Sequence, residues 1–357
     1  MKCLANIERT QLPNDIIMQY INVYQSIGSN TKNHEVLSND YEAIILQTIK
    51  NDTYYFVRLF DIDVTNVRFK SLIFKDVKPR TKSETLVKNI RNAFVKIYQD
   101  ISSFELLTTE IQNLLQFIYQ DFIPKKHLQF RKLNDVQPST SLLRQKSTST
   151  RDILEKTVTL FNEQIDNNRY ESNYLIVNFY IDFLNIRPFH EKNEEIGLLL
   201  LHILLLTQGY EVYEYISFMK WLYEHKTAFD KMVLQSSFNY EEGLAQVLPL
   251  HRFLLKGAIE SYQKLRYLVR DYEFDKHLNK TNNIENTILK FEEIFSKEDV
   301  RIAHPFVSDS TINRTLRRLR DEGAIRPVGK GRGAKWMRLT KPKKKQFQFE
   351  QLDLKLR

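Results

Sequence analysis

Cysteine occurs once in this 357-residue chain, at Cys3. One thiol excludes a disulfide framework or a thiolate zinc site built within the chain, and a reducing, cytoplasmic setting fits. Glycine and proline are also scarce, nine of each, which favours helices joined by short loops. Long apolar runs are missing too. The longest, residues 196–206, includes Gly197 and His202 and has about half the length needed to span a bilayer. It is therefore expected to be a buried core helix, and no membrane partner is expected. Residues 1–15 hold no continuous apolar stretch, so no signal peptide is expected either.

Acidic residues are nearly absent from one end of the chain. Between Thr311 and Lys345 thirteen Lys and Arg face only Asp321 and Glu322, a net of +11, which leaves the remainder at −2 out of a total of +9. Such an asymmetry marks a polyanion-binding module attached to a near-neutral body. The length allows two domains, and 42% hydrophobic with 27% charged residues is the composition of an ordinary globular protein.

Apolar residues recur at helical spacing over 16–27, and a short helical stretch containing Glu42 follows Ser38. Residues 53–74 differ: Tyr54, Tyr55, Phe56, Val57, Ile62 and Val64 are aromatic or β-branched and predict one or two strands. Helical periodicity returns from Ser83. A polar interval over 125–151 predicts a long exposed loop of the kind that often carries function. Amphipathic helices are then expected over 152–165 and 170–184, a loop over 185–195, and the apolar helix over 196–207. Further helices are expected over 218–229, 240–255 and 257–272, with a linker over 275–283.

The segment 179–209, FYIDFLNIRPFHEKNEEIGLLLLHILLLTQG, resembles the Fic family signature. That signature is an apolar helix, a loop H-P-F-x-[DE]-G-N-G-R-x-x-R, and a second apolar helix ending in Gly. In the family the His is a general base, the acidic residue holds Mg²⁺ on ATP phosphates, and the Gly-Asn-Gly backbone and two Arg cradle those phosphates. The resemblance places Glu191 at the metal position, with Pro188, Phe189 and Asn193 retained. Arg187 stands where the base belongs, and a guanidinium accepts no proton near neutral pH. Lys192 and Glu194 replace the glycines, while Glu195 and Leu198 replace the arginines. The same resemblance makes Ser38 and Glu42 a counterpart of the inhibitory [ST]-x-x-x-E-[GN] motif, although the arginine that such a Glu pairs with is Leu198 here. Residues 217–229 and 251–257 are similar to the family's closing helices.

Beyond the linker, residues 285–297 predict a helix with Ile288, Leu289, Phe291, Ile294 and Phe295 on its core face. Ser308 or Ser310 can cap a second helix over 311–322, with Gly323 at its C-terminal end. Ile312, Leu316 and Leu319 define its buried side. Two short strands around residues 329–333 predict a hairpin with a cationic tip. Helix, turn, helix and basic hairpin together are similar to a winged helix. Double-stranded DNA is the expected partner, through Thr311, Asn313, Arg314, Arg317, Arg318, Lys330, Arg332 and Lys335.

The expected fold is mainly α: a Fic-like helical bundle followed by a winged-helix (α+β) domain. Residues 1–82 would carry the inhibitory-like motif and strand-like insertion, 83–274 the helical core, 275–283 the linker, 284–340 the winged helix and 341–357 a basic tail. Three functions stay open. One is a regulator acting through its winged helix, with the degenerate domain as sensor, scaffold or homodimerisation unit. Another is a transferase modifying a protein target with ATP and Mg²⁺, with His190 as base after a register shift beside Glu191, Lys192 and Asn193. The last is a purely structural helical protein.

Overall fold

A computed structural model describes residues 2–75, 77–132, 149–277, 284–285, 287–288, 291, 294–304, 307–329 and 335–339. They form two compact units, residues 1–269 and 270–357. None of the described helices is long and apolar enough to cross a membrane.

The first unit is helical. Its elements are α1 (Asn14–Ile27), α2 (Asn30–Leu37), α3 (Tyr41–Leu59), α4 (Asn66–Lys75), α5 (Lys82–Asp100) and α6 (Thr108–Tyr119). They continue with α7 (Thr150–Asp166), α8 (Ser172–Ile186), α9 (Asn193–Thr207), α10 (Val212–Tyr215), α11 (Phe218–Glu224) and α12 (Lys226–Ser237). The last, α13 (Leu248–His277), begins here and ends in the second unit. The centre is the α8–α9 pair, apolar almost all round and buried on nearly every face. The two helices lie close because Gly197 faces Phe183 and Leu184, where a Cβ would meet side-chain carbons at 3.1 Å. α7 and α12 flank α8, and α6 flanks α9.

The strands expected over 53–74 do not form. That segment is the end of α3, a turn at Phe60–Asp61, and α4. The buried positions Ile44, Thr48, Ile49, Asp52, Thr53, Phe56 and Val57 follow the helical period, and α3 packs them on α5 and α11. Tertiary burial outweighs the β preference of the aromatic and β-branched run. The helix expected over 240–255 starts only at Leu248, and it runs through Gly257 as part of one helix to His277. Gly257 is there for space: a Cβ would lie 2.6–2.8 Å from the buried Trp221 indole. Of the expected linker, residues 275–277 are helical and 278–283 lie outside the described residues. The helix expected over 218–229 is two, α11 and α12.

The second unit holds β1 (Ile294–Ser296), α14 (Lys297–Ala303), α15 (Asp309–Asp321), β2 (Ile325–Val328) and β3 (Lys335–Arg338). The sheet is antiparallel in the order β1-β3-β2. One helix over 285–297 was expected, but its last part is the strand β1, with Ile294 exposed and Phe295 buried. Ser296 ends that strand by capping α14 in a capping box with Asp299. Ser308 caps α15, and Gly323 with φ 71° closes it. Ile284, Ile288, Phe295, Val300, Ile312, Leu316, Leu319 and Ile325 form the core.

Candidate functional site

The α8–α9 connection is only residues 187–192, bounded by two left-handed residues that are not glycine. Arg187 (φ 45°) ends α8, its N–H donating to the Phe183 carbonyl at 3.1 Å, and Lys192 (φ 66°) precedes α9. Such backbone costs on the order of 1–3 kcal/mol per residue and persists only where neighbours fix it. Here the neighbours come from distant sequence. Arg131 donates from Nε to the Arg187 carbonyl (2.8 Å) and from Nη2 to the Ile186 carbonyl (2.9 Å), satisfying the open end of α8. The Pro188 carbonyl accepts from the Arg131 N–H at 2.9 Å and from the Thr150 hydroxyl at 2.8 Å. Phe189 is fully buried and stacks on Phe130, ring centroids 4.8 Å apart.

Asn193 closes the turn from inside. Its buried side chain accepts from the Phe189 N–H at 2.9 Å and donates to the Phe189 carbonyl at 2.8 Å. The retained motif asparagine thus spends its amide on the loop's own backbone.

Each charged side chain of the turn has a polar partner. Glu191 is bound by His127 Nδ1. Lys192 Nζ donates to the nearly buried Glu195 at 2.7 Å and lies 5.5 Å from the Tyr119 ring centroid. Burial, and after it the Glu195 carboxylate, holds the Tyr119 hydroxyl well above its ordinary pKa. Arg187 lies 3.8 Å from Glu194, an exposed and weak pair. Glu194 and Glu195 occupy the first turn of α9, so the positive end of that helix dipole already faces carboxylates. His190 is exposed, and Leu198 is buried.

The structure does not bring Ser38 and Glu42 to this turn. Glu42 is exposed on the first turn of α3, and the Ser38 hydroxyl donates to the Glu35 carbonyl at 2.9 Å. Neighbouring Tyr41 donates to Glu214 at 2.8 Å, and His34 meets Tyr215 at 3.1 Å. Both contacts reach α10, which follows the C-terminal end of α9, whereas the turn precedes its N-terminal end. At 1.5 Å per residue α9 is about 22 Å long. Glu42 thus makes no contact with the turn, in keeping with Leu198 at the position of its expected arginine partner.

In the second unit Asn313, Arg314 and Arg317 lie on the solvent side of α15, opposite Ile312, Leu316 and Leu319. Thr311 stands at its start. Arg314 and Arg317 have no ion-pair partner among the described residues, and Lys335 is exposed at the start of β3. Arg318 is spent differently: it binds Glu285 at 2.6 Å and Glu322 at 2.8 Å. Lys330 and Arg332 lie outside the described residues, as does the basic run 341–345.

Four residues of the first site went unnoticed in the sequence: His127, Phe130, Arg131 and Thr150. They lie near the two ends of the polar interval 125–151, whose length is the only cue. Its described ends dock on residues 187–191, while 133–148 lie outside the described residues.

No family model and no curated protein sequence matches this chain. Solved structures do. A Fic domain containing signaling protein from Bacteroides thetaiotaomicron aligns with TM-score 0.54 and 16% identity, over 70% of this chain and 98% of its own. A Fic family protein from Desulfovibrio desulfuricans aligns with TM-score 0.51 and 12% identity, over 93% of this chain and 98% of its own. Fic-1 from C. elegans aligns with TM-score 0.51 and 10% identity over 70% of this chain and 71% of its own. The chain has the fold of Fic-domain proteins, and the Desulfovibrio alignment extends into its second unit.

Proposed function

We propose that this chain is a DNA-binding regulator, in which a Fic-fold body without nucleotidyl-transfer capacity is joined to a winged helix. The observation that carries the reading is the solvent face of α15, where Asn313, Arg314 and Arg317 stand without acidic partners among the described residues, beside the basic β2–β3 hairpin. Asn and Arg are the side chains that read adenine and guanine edges bidentately. Thr311 at the helix start suits a phosphate contact, and Lys330, Arg332 and Lys335 of the wing suit the duplex backbone. Arg318 is left out of the interface, because Glu285 and Glu322 hold it.

For the body, the residues at the turn do not fit an ATP–Mg²⁺ complex. Glu191, the one acidic residue at the metal position, is engaged by His127. Glu195 puts a carboxylate on the α9 N-terminus, where phosphate oxygens would have to lie. Side chains on Lys192 and Glu194 keep the backbone from the close approach that glycine permits. No step of a transfer reaction is assigned to these residues. The body then serves as a scaffold or sensor for the DNA-binding unit.

Two measurements test the reading. Full-length protein titrated against random duplex DNA should bind with log affinity falling linearly in log salt, each neutralised phosphate adding roughly −0.9 to the slope. No binding at low salt would remove the DNA role. Incubation with labelled ATP, GTP, UTP or CTP plus Mg²⁺ should give no self-labelling, either in the natural sequence or in Glu42→Gly. Labelling that disappears in His190→Ala would instead establish a transferase using His190 as base.

A further inference from the structure

α6 is apolar on two faces and buries only one. Ile111, Leu115 and Ile118 enter the core. Leu107, at the N-cap, and Leu114 and Phe117 lie on the other side with Glu110, at the i, i+3, i+7, i+10 spacing of one helix face. That face borders a groove of about 610 Å³, walled by Ala93 and Ile97 of α5 and floored by Ile203 of α9. Leu107 and Phe117 remain 43% and 40% exposed on its rim.

The charged side chains that line the groove are mainly acidic. Asp100, Glu105 and Glu110 line the groove against Lys96 alone. Among the described residues Asp100 and Glu105 have no ion-pair partner, and Glu110 receives only the Asn113 amide, at 3.1 Å. Other exposed carboxylates of this unit do have partners, as Asp15 has Arg252 and Asp230 has Lys226.

We propose that the groove between α5 and α6 docks a basic amphipathic helix of a partner protein. The length fits. From Leu107 to Phe117 the wall is about 15 Å long, enough for apolar anchors at i, i+4 and i+7 of a guest helix. Leu107 and Phe117 flank the anchors, and Lys or Arg beside them meet Asp100, Glu105 and Glu110. The same carboxylates repel an acidic helix and repel DNA, which makes the face selective. The proposal is independent of whether α15 binds DNA.

The probe is a labelled 14-residue helix of leucine and lysine, titrated into full-length protein by fluorescence anisotropy. A leucine–glutamate helix of the same pattern is the comparison. Saturable one-to-one binding of the lysine helix is expected, at least tenfold tighter than that of the glutamate helix. Leu107→Ser with Phe117→Ser should weaken it tenfold or more, and so should Glu105→Lys with Glu110→Lys. These positions are solvent-exposed, so circular dichroism and melting should be unchanged, which separates lost docking from lost folding. Glu242→Lys, an exposed charge outside the groove, should leave binding unaltered. Equal affinity for both helices, or affinity insensitive to the groove substitutions, would overturn the proposal. So would a dimer in light scattering that Leu107→Ser with Phe117→Ser dissociates, because the face would then belong to a second copy.

Discussion

Asn193 shows how one side chain sets a local structure. Both its polar atoms bond the Phe189 backbone in a buried site, and they hold the turn in which Glu191 and Lys192 meet His127 and Glu195. Asn193→Ala leaves a buried N–H and C=O without partners, at about 1–3 kcal/mol. Urea unfolding should register that loss. Unchanged stability would mean that the amide is free to serve a ligand. Gly257 is a second such residue. Alanine normally gains about 1 kcal/mol over glycine in a helix interior, but here the methyl would strike the Trp221 ring at 2.6–2.8 Å. Trp221 is fully buried and tied by its indole N–H to Glu260 at 2.8 Å, so it has little room to yield. Gly257→Ala should therefore destabilise, by about 1–3 kcal/mol from overpacking. A stabilised variant in the same urea assay would contradict the close packing of α11 on α13.

α15 divides its arginines between two tasks. Ser308 caps the helix and Ile312, Leu316 and Leu319 bury one side, which fixes the direction of every other residue. Arg318 then falls beside Glu285 and Glu322, and Arg314 and Arg317 face solvent. Under the proposed DNA role, Arg314→Ala or Arg317→Ala should cost about 1–3 kcal/mol on a preferred site and relax its specificity. Lys335→Ala should weaken all duplexes about equally and lower the salt slope by roughly one phosphate contact. Arg318→Ala should leave DNA affinity nearly unchanged. Titrating the full-length variants at two salt concentrations separates these outcomes. An Arg318→Ala effect as large as that of Arg314→Ala would reassign the binding face.

Across the first unit, the three fully buried groups Asp52, His202 and His251 contribute to stability with opposing dependence on pH. Asp52 accepts from Ser217 Oγ and Tyr98 OH, both at 2.6 Å, and from the Met219 N–H at 3.0 Å. Burial nevertheless pushes its carboxyl up from 3.8 to about 7. The fold thus prefers the neutral acid, and this contribution, full below pH 3.8, is lost as pH rises to about 7. His202 and His251 have the opposite sign. Burial lowers each from 6.5 to about 3, assisted at His251 by Arg252. Their contribution is full above pH 6.5 and is lost as pH falls towards 3. Between these limits Asp52 opposes the two histidines and lessens the loss of stability that they cause on acidification. Asp52→Asn removes the offset, and stability should fall more steeply on acidification, by about 1 kcal/mol more per pH unit. Urea unfolding of both proteins at pH 4.5, 5.5 and 6.5 measures the difference. Parallel curves would show that Asp52 does not titrate in this range.

By itself the sequence determined what depends on local pattern. The apolar runs of α8 and α9, the capped amphipathic α15 with Gly323 at its end, and the concentration of positive charge after Thr311 all follow from neighbours within a few turns. The helical class of most of the chain and the position of the 187–192 turn were legible in the same way. Tertiary structure decided the rest. Residues 53–59 became the end of α3, because α5 and α11 bury their helical face, which no window around Tyr54 contains. Ile294–Ser296 became a strand because β3, some forty residues later, offers it an edge. Glu42 has the spacing of an inhibitory residue, yet the packing of α3 on α10 sets it at the far end of α9. Glu191 of the turn is met by His127 and the turn's backbone is braced by Arg131, both fifty to seventy residues away in sequence. Spacing along a chain fixes which face a side chain takes on its own element. Only the packing of distant elements fixes what that face meets.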